Sequence, residues 1–330
     1  MGAQASGSRD ESLARKTGGF LLDLYGMSRS LPVEQFQRSV LERLRVALPF
    51  RSAFWGVIRA DASLTVHRGT VDALPAEFLH HWEAIKHKDD LASRVIARPG
   101  VATSVHTYDL AHRDFHAMGE RFGIENAMSV AHVGHAPDLY SFLSLYRDKG
   151  ESRFDRSDRC FEEIVLPHLS AAWHANWLAH LERLRAGLST PRRGFAVIDR
   201  HGLIHVSDPS FIELVRSEWP CWNGFDLPLA LTSQIFAGRA CSTRLLSFGN
   251  WRHHDLAVVQ ARPRSVLDRL SPRESEIVMW YREGLSYKEI ARELGCSPFT
   301  VRHHLRAIYE KLGVSSRTAM ARLMEDTDAS

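Results

Sequence analysis

Residues 271–323 read SPRESEIVMWYREGLSYKEIARELGCSPFTVRHHLRAIYEKLGVSSRTAMARL, and the reading of this stretch decides how the rest of the chain is understood. Ser271-Pro272-Arg273-Glu274 is a capping box with proline at the first helical position, so a helix begins there. Ile277, Val278, Trp280 and Tyr281 follow, and Gly284 closes it. Ser286-Tyr287-Lys288-Glu289 is a second capping box, opening a short helix with Ile290, Ala291 and Leu294 inward. Gly295-Cys296 makes a tight turn, and Ser297 caps a third helix with Pro298 at its first position. Val301, Leu305, Ile308 and Leu312 step by four, three and four along one face until Gly313. Ser315 or Ser316 starts a fourth helix. Four short helices with a glycine-containing turn between the second and third predict a helix-turn-helix. Thr300, Arg302, His303 and Arg306 lie off the apolar stripe of the third helix, and Lys311 sits one turn further on.

The stretch resembles the LuxR-type DNA-binding domain. L-S-P-R-E, G-L-S-Y-K-E-I-A-R-E-L, S-P-F-T-V-R-H-H-L-R-A-I-Y-E-K-L-G-V and R-T-A-M-A-R-L fill nearly every signature position at the right spacing. Arg302 stands where lysine is more usual, which keeps the charge and adds bidentate reach toward guanine. The resemblance implies that the outer face of the third helix enters the major groove of double-stranded DNA. Arg302, His303 and Arg306 would then face base edges or flanking phosphates. Ser286, Lys288, Ser297, Thr300 and Lys311 would hold phosphates. Arg273 and Arg292 read as solvated charges, and His304 as a packing residue. The fourth helix would supply a homodimer contact through Thr318, Met320 and their neighbours.

Working outward, the upstream segments change period. Residues 1–9 read as a disordered lead-in, and Leu13–Tyr25 has helical spacing. Pro32 opens a better helix carrying Val33, Phe36, Val40, Leu41, Leu44 and Leu48. Ser52–Arg59 and Leu64–Arg68 predict strands joined through Asp61-Ala62-Ser63. Pro75–Val95 reads as helical, Asn126–Val133 and Leu139–Arg147 as a second strand pair, and Asp155–Leu188 as a long helix that Pro167 should kink or divide. Helices, strands, helix, strands and long helix make an α+β unit with an antiparallel sheet. In outline it resembles a GAF-type sensor, as does Leu166-Pro167-His168-Leu169 in its last helix. Ser189–Gly194 reads as a linker. Phe195–Ser207 then runs strand, Asp-x-x-Gly turn, strand, followed by a helix over Pro209–Arg216; this opening resembles a short PAS domain, with later strands at Leu245–Gly249 and Trp251–Arg262. The expected architecture is an α+β sensor region, GAF-like and then PAS-like, followed by an all-α four-helix LuxR-type domain. Its boundaries are 10–188, 193–263 and 266–330.

Composition bounds the function. The chain has 330 residues, 44% hydrophobic and 25% charged, with a formal net charge of +3. That small total conceals a concentration: Ser297–Leu323 carries Arg302, Arg306, Lys311, Arg317 and Arg322 against Glu310 alone. No apolar run approaches eighteen residues and no secretory leader is seen, so a cytoplasmic protein without a membrane partner is expected. The four cysteines (Cys160, Cys221, Cys241, Cys296) are scattered and form no CxxC pair.

Enzymatic motifs are missing: no GxxxxGK[ST], HExxH or GxSxG is present, and no catalytic residue is assigned. Asp199 ends an apolar strand as a phospho-acceptor would, but a strand follows it, so it reads as a turn residue. His112 and His116 have a spacing that could hold a metal on one helical face, yet no third ligand is marked, so neither metal nor cofactor is assigned. An acyl-homoserine-lactone receptor would carry a Trp-x-x-x-Tyr pair; here Trp82 is followed by Lys86. A signal, small molecule or protein, is expected at the sensor half. The aromatic residues Phe54, Trp55, Trp82, Tyr108, Phe115 and Phe122 are candidate pocket walls. The expected function is a bacterial DNA-binding transcriptional regulator; an acyl-homoserine-lactone-type regulator, a metal- or haem-sensing regulator and an enzymatic sensor are the alternatives.

Overall fold

In the computed structural model, which describes residues 2–186, 193–239, 241–253 and 255–329, helices open the chain. The first, α1 (Gly2–Ser30), begins where the sequence suggested a disordered lead-in, eleven residues before the expected start at Leu13. Its Phe20 and Leu24 are fully buried. Pro32 ends the run, because a proline disfavours helix at the residue before it. Next, α2 (Val33–Ala47) buries Val33, Phe36, Val40, Leu41 and Leu44 on one stripe, as the spacing predicts.

The first sheet starts with β1 (Ser52–Ala60) and β2 (Leu64–Asp72). Their turn is held by Asp61, whose side chain accepts from the Ser63 amide. Gly56 in β1 meets β2 so closely that a Cβ there would lie 2.2 Å from the Arg68 carbonyl oxygen. The helical stretch expected over Pro75–Val95 is two helices, α3 (Glu77–Ile85) and α4 (Asp90–Ala97), separated by a 3₁₀ turn at Lys86–Lys88. Asp89 makes the break: its carboxylate caps α4 by accepting from the Ala92 amide at 2.9 Å. Then come β3 (Thr103–His106), α5 (Arg113–Phe122), β4 (Asn126–Val133) and β5 (Leu139–Arg147). The last two match the expected strands residue for residue. The sheet is antiparallel in the order β2-β1-β5-β4-β3, with Phe54 opposite Ser144.

The long helix α6 (Arg156–Ala186) is continuous through Pro167, so the expected division does not occur. It packs on α1: Phe161 meets Phe20 edge-on at 5.9 Å, the Tyr25 hydroxyl lies 2.8 Å from His168 Nδ1, and Asn176 donates to the Ser28 and Leu31 carbonyls. Most of the expected linker, residues 189–192, lies outside the described residues.

A second five-stranded sheet contains β6 (Gly194–Asp199), β7 (Ile204–Ser207), β8 (Cys241–Ser242), β9 (Leu246–His253) and β10 (Leu256–Pro263) in the order β7-β6-β10-β9-β8. It repeats the strand order of the first. Between β7 and β8 lie α7 (Pro209–Glu218) and α8 (Leu229–Phe236). The chain ends in α9 (Pro272–Arg282), α10 (Tyr287–Glu293), α11 (Pro298–Leu312) and α12 (Arg317–Ala329). Two compact units result: residues 1–180 with 199–206, and residues 181–198 with 207–330. The hairpin tip Asp199–Val206 therefore belongs to the first unit.

Candidate nucleic-acid interface and sensor cavity

The four C-terminal helices form as their capping residues dictate. Ser271 with Glu274 and Ser286 with Glu289 are both reciprocal capping boxes. Ser297 caps α11, accepting from the Thr300 amide at 3.1 Å, and its hydroxyl lies 2.8 Å from Thr300 Oγ1. Val301, Leu305, Ile308 and Leu312 pack with Ile277, Val278, Ile290, Ala291, Met320 and Met324 in one core. Gly313 ends α11 with a positive φ of 67°, a conformation glycine adopts without steric cost.

This core turns the opposite face of α11 outward. Arg302, His303 and Arg306 are exposed there, spaced so that they share one side of the helix. The Arg302 guanidinium lies 5.7 Å from the centroid of the Tyr287 ring on α10. Arg306 Nε donates to Glu310 at 3.3 Å, a pair in which the arginine side chain stays 84% exposed. An exposed i,i+4 pair of this kind contributes only a few tenths of a kcal/mol, so Arg306 can exchange it for a phosphate or guanine. Ser286, Lys288, Ser297 and Thr300 are exposed at the starts of α10 and α11, where helix dipoles favour anions.

One expected phosphate residue has a partner within this domain, and one expected dimer residue is buried. Lys311 Nζ lies 2.6 and 2.8 Å from the carboxylate oxygens of Glu274, which is itself buried. Burial alone would raise the Glu274 carboxyl; the bond from Lys311 and the Ser271 amide reverse that and hold it below its ordinary value. Lys311 itself stays exposed while its amine pairs with Glu274. Met320 is fully buried in the domain core and offers no dimer contact, whereas Thr318 is exposed. Arg273, read as a solvated charge, donates to Glu276 and to the Leu294 carbonyl at the end of α10.

In the first unit an apolar cavity of about 90 Å³ lies on one face of the sheet, under α3, α4 and α5. Phe54, Trp82 and Phe115 line it, with Phe78, Met118 and Phe142. The other three aromatic candidates stand elsewhere. Trp55 alternates to the opposite face of β1, where Arg68 sits over its ring. Phe122 packs on Phe78 and His81. Tyr108 is exposed, donating its hydroxyl to Glu120 at 2.6 Å. The cavity's polar fringe was not evident from sequence. Asp89 accepts from Trp82 Nε1 at 2.8 Å, and burial lifts its carboxyl above the usual range. The hydroxyls of Ser129 and Ser144 bond each other at 2.9 Å.

A buried polar cluster lies outside that cavity. Asp199 Oδ2 is shared by His67 Nδ1 at 2.7 Å and His205 Nε2 at 3.0 Å. Its Oδ1 accepts the His201 amide at 2.8 Å and the Leu203 amide at 3.2 Å. Asp199 is thus the turn residue the sequence suggested, with two imidazoles added. Burial would raise its carboxyl, and the bonds from His205 and His67 outweigh that and hold it well below the carboxylate range. The neighbouring Arg68, 3.9 Å from the Trp173 ring centroid, is lowered to about 9 by burial. His112 precedes α5 rather than lying within it, and His116 is 2.9 Å from the Leu110 carbonyl. Among the described residues no three His, Cys, Asp or Glu side chains gather as a metal site would require, and no helix is long and apolar enough to cross a membrane.

Comparison with known proteins bears on the C-terminal helices. Residues 268–324 match the model for bacterial regulatory proteins, luxR family. The transcriptional regulatory protein UhpA of Escherichia coli strain K12 is 43% identical over 72 residues, 22% of this chain and 36% of UhpA. The chain thus spans about a third of the length of that relative. Among solved structures, Escherichia coli SdiA aligns with 93% of this chain and 95% of its own at 13% identity and a TM-score of 0.38. CepR2 of Burkholderia cenocepacia, described as an N-acylhomoserine lactone dependent LuxR family factor, aligns with 51% of this chain and 98% of its own at 18% identity and a TM-score of 0.38. The C-terminal segment is a LuxR-type helix-turn-helix domain.

Proposed function

We propose that the protein is a DNA-binding transcriptional regulator whose α+β sensor region governs a LuxR-type helix-turn-helix. The observation that supports this reading best is α11. Its inner stripe is buried, its N-terminus is capped by Ser297, and Arg302, His303 and Arg306 stand exposed on one outer side. A helix so built enters the major groove with its N-terminal residues toward the bases. A homodimer would bring two such helices to a pseudo-palindromic site. The first-unit cavity suits a small, largely apolar signal, and occupancy would act by shifting the population of DNA-competent states. No catalytic role is assigned to any residue, and a cytoplasmic location fits a regulator of this kind.

The test is an electrophoretic mobility shift of the full chain on its own upstream DNA and on a randomised duplex library. Arg302→Ala and Arg306→Ala are each expected to weaken specific binding by about 1–3 kcal/mol. Wild-type affinity in both variants would refute the assignment of this face. Turnover of a hydrolase or transferase substrate panel would instead favour an enzymatic sensor.

A further inference from the structure

Phe299 is the most exposed large apolar side chain of the described residues, at 79% of its full accessible area. It occupies the second position of α11, directly after Pro298, so it belongs to the N-terminal turn of the helix. Phe299, Arg302, His303 and Arg306 stand at i, i+3, i+4 and i+7, which places all four on one side of the helix. The domain core takes the other side through Val301, Leu305 and Ile308. Phenylalanine has no local reason to be there. It caps nothing, its helix propensity is modest, and a water-facing ring forfeits the burial that stabilises aromatic side chains elsewhere in this chain. A lone apolar group among arginines and a histidine is, however, what a mixed polar and apolar surface requires of its reader.

The major groove offers such a surface. Each base pair displays hydrogen-bonding groups at its edge, and thymine alone adds a C5-methyl. The minor groove displays no methyl. We propose that Phe299 is a specificity-determining residue of the DNA interface and reads a thymine methyl group. This inference rests on the regulator reading above and deepens it. The rise from Phe299 to Arg302 along the axis is about 4.5 Å, three residues of α-helix, which is between one and two base-pair steps. The thymine therefore lies beside the base pair met by Arg302 or one removed from it. Arginine supplies the hydrogen-bonded part of the readout, and Phe299 rejects cytosine at the neighbouring position, which lacks the methyl.

Selection of full-length protein against a randomised duplex library tests this, with Phe299→Ala in parallel. The wild-type protein should enrich a thymine at a fixed distance from its guanine contact. Replacing that thymine by deoxyuridine removes only the methyl, and should weaken wild-type binding about fourfold, equivalent to ~0.8 kcal/mol for one buried carbon. Phe299→Ala should lose the thymine preference, ignore deoxyuridine, and keep the salt dependence of binding, because no phosphate contact is removed. Equal enrichment of thymine by both proteins would overturn the inference, as would equal sensitivity of both to deoxyuridine. The deoxyuridine arm needs no variant, so the inference stays testable even if the alanine protein folds poorly. Enrichment of no sequence by the wild-type protein would overturn the DNA reading together with this inference, whereas enrichment without a Phe299-dependent thymine overturns this inference alone.

Discussion

Replacing Asp199 by alanine removes one carboxylate that four donors share: two imidazole nitrogens and the His201 and Leu203 amides. The imidazoles of His67 and His205 are almost completely enclosed, so no water replaces the lost acceptor. Each buried donor left without a partner costs about 1–3 kcal/mol, and the two enclosed imidazoles lose theirs together. The expected loss is therefore about 4 kcal/mol, which for a unit of this size lowers the melting midpoint by roughly 10 °C. Tryptophan fluorescence follows it directly, because Trp173 packs edge-on to His205 at 5.9 Å between centroids. The same cluster makes stability depend on pH. Burial lowers the imidazoles of His174, His201 and His205 from their ordinary 6.5. A group that is harder to protonate when folded takes up protons on unfolding, so its contribution is complete above 6.5 and declines as pH falls below it. The unfolding midpoint should fall between about pH 7.5 and 5.5, and His205→Gln should make that slope shallower while His174 and His201 keep part of it. An Asp199→Ala protein within ~1 kcal/mol of wild type, or a flat pH profile, would refute the reasoning.

Further expectations concern the two other sites. Lys311→Met should destabilise the C-terminal domain by roughly 1–3 kcal/mol, since it leaves the buried Glu274 carboxylate without its cation. The salt slope of DNA binding should fall by about one unit in that variant if Lys311 also meets a phosphate, and an unchanged slope would remove Lys311 from the phosphate contacts. Ala131→Leu fills much of the cavity of about 90 Å³ that Ala131 lines. Xenon, a probe for dry apolar voids, should bind the wild-type protein by NMR and not the variant, at a stability change of about 1–3 kcal/mol.

Local signals were legible wherever one residue settles one conformation. Ser271, Ser286 and Ser297 announced three helix starts by capping them, and the runs 126–133 and 139–147 announced their strands through the breakers Gly134-His135-Ala136-Pro137-Asp138 between them. Short elements escaped. The strand at Thr103–His106 is half-buried at every position and shows no alternation, and α5 begins behind His112 without a side-chain cap. The break between α3 and α4 depends on Asp89, whose capping role competes with the apolar periodicity running through it. Contacts between distant residues escaped most completely. His67 and Asp199, or Lys311 and Glu274, meet only because whole elements pack, and no local pattern encodes either pairing. The exposed face of α11 was legible for the opposite reason: Arg302, His303 and Arg306 stand together on a single helix.

The strand order that both sheets share has a kinetic side. In each sheet the first strand lies between the second and the last, so β1 waits beside β2 until β5 arrives, with Phe54 finding Ser144 far along the chain. Every such pairing must close a long loop before its bonds form, which slows folding relative to helices that contact their sequence neighbours. While the chain leaves the ribosome, β1 presents an open edge of unpaired amides and carbonyls. A truncation ending before Leu139 would keep that edge open permanently and should aggregate, whereas the four C-terminal helices assemble from contacts within one short stretch.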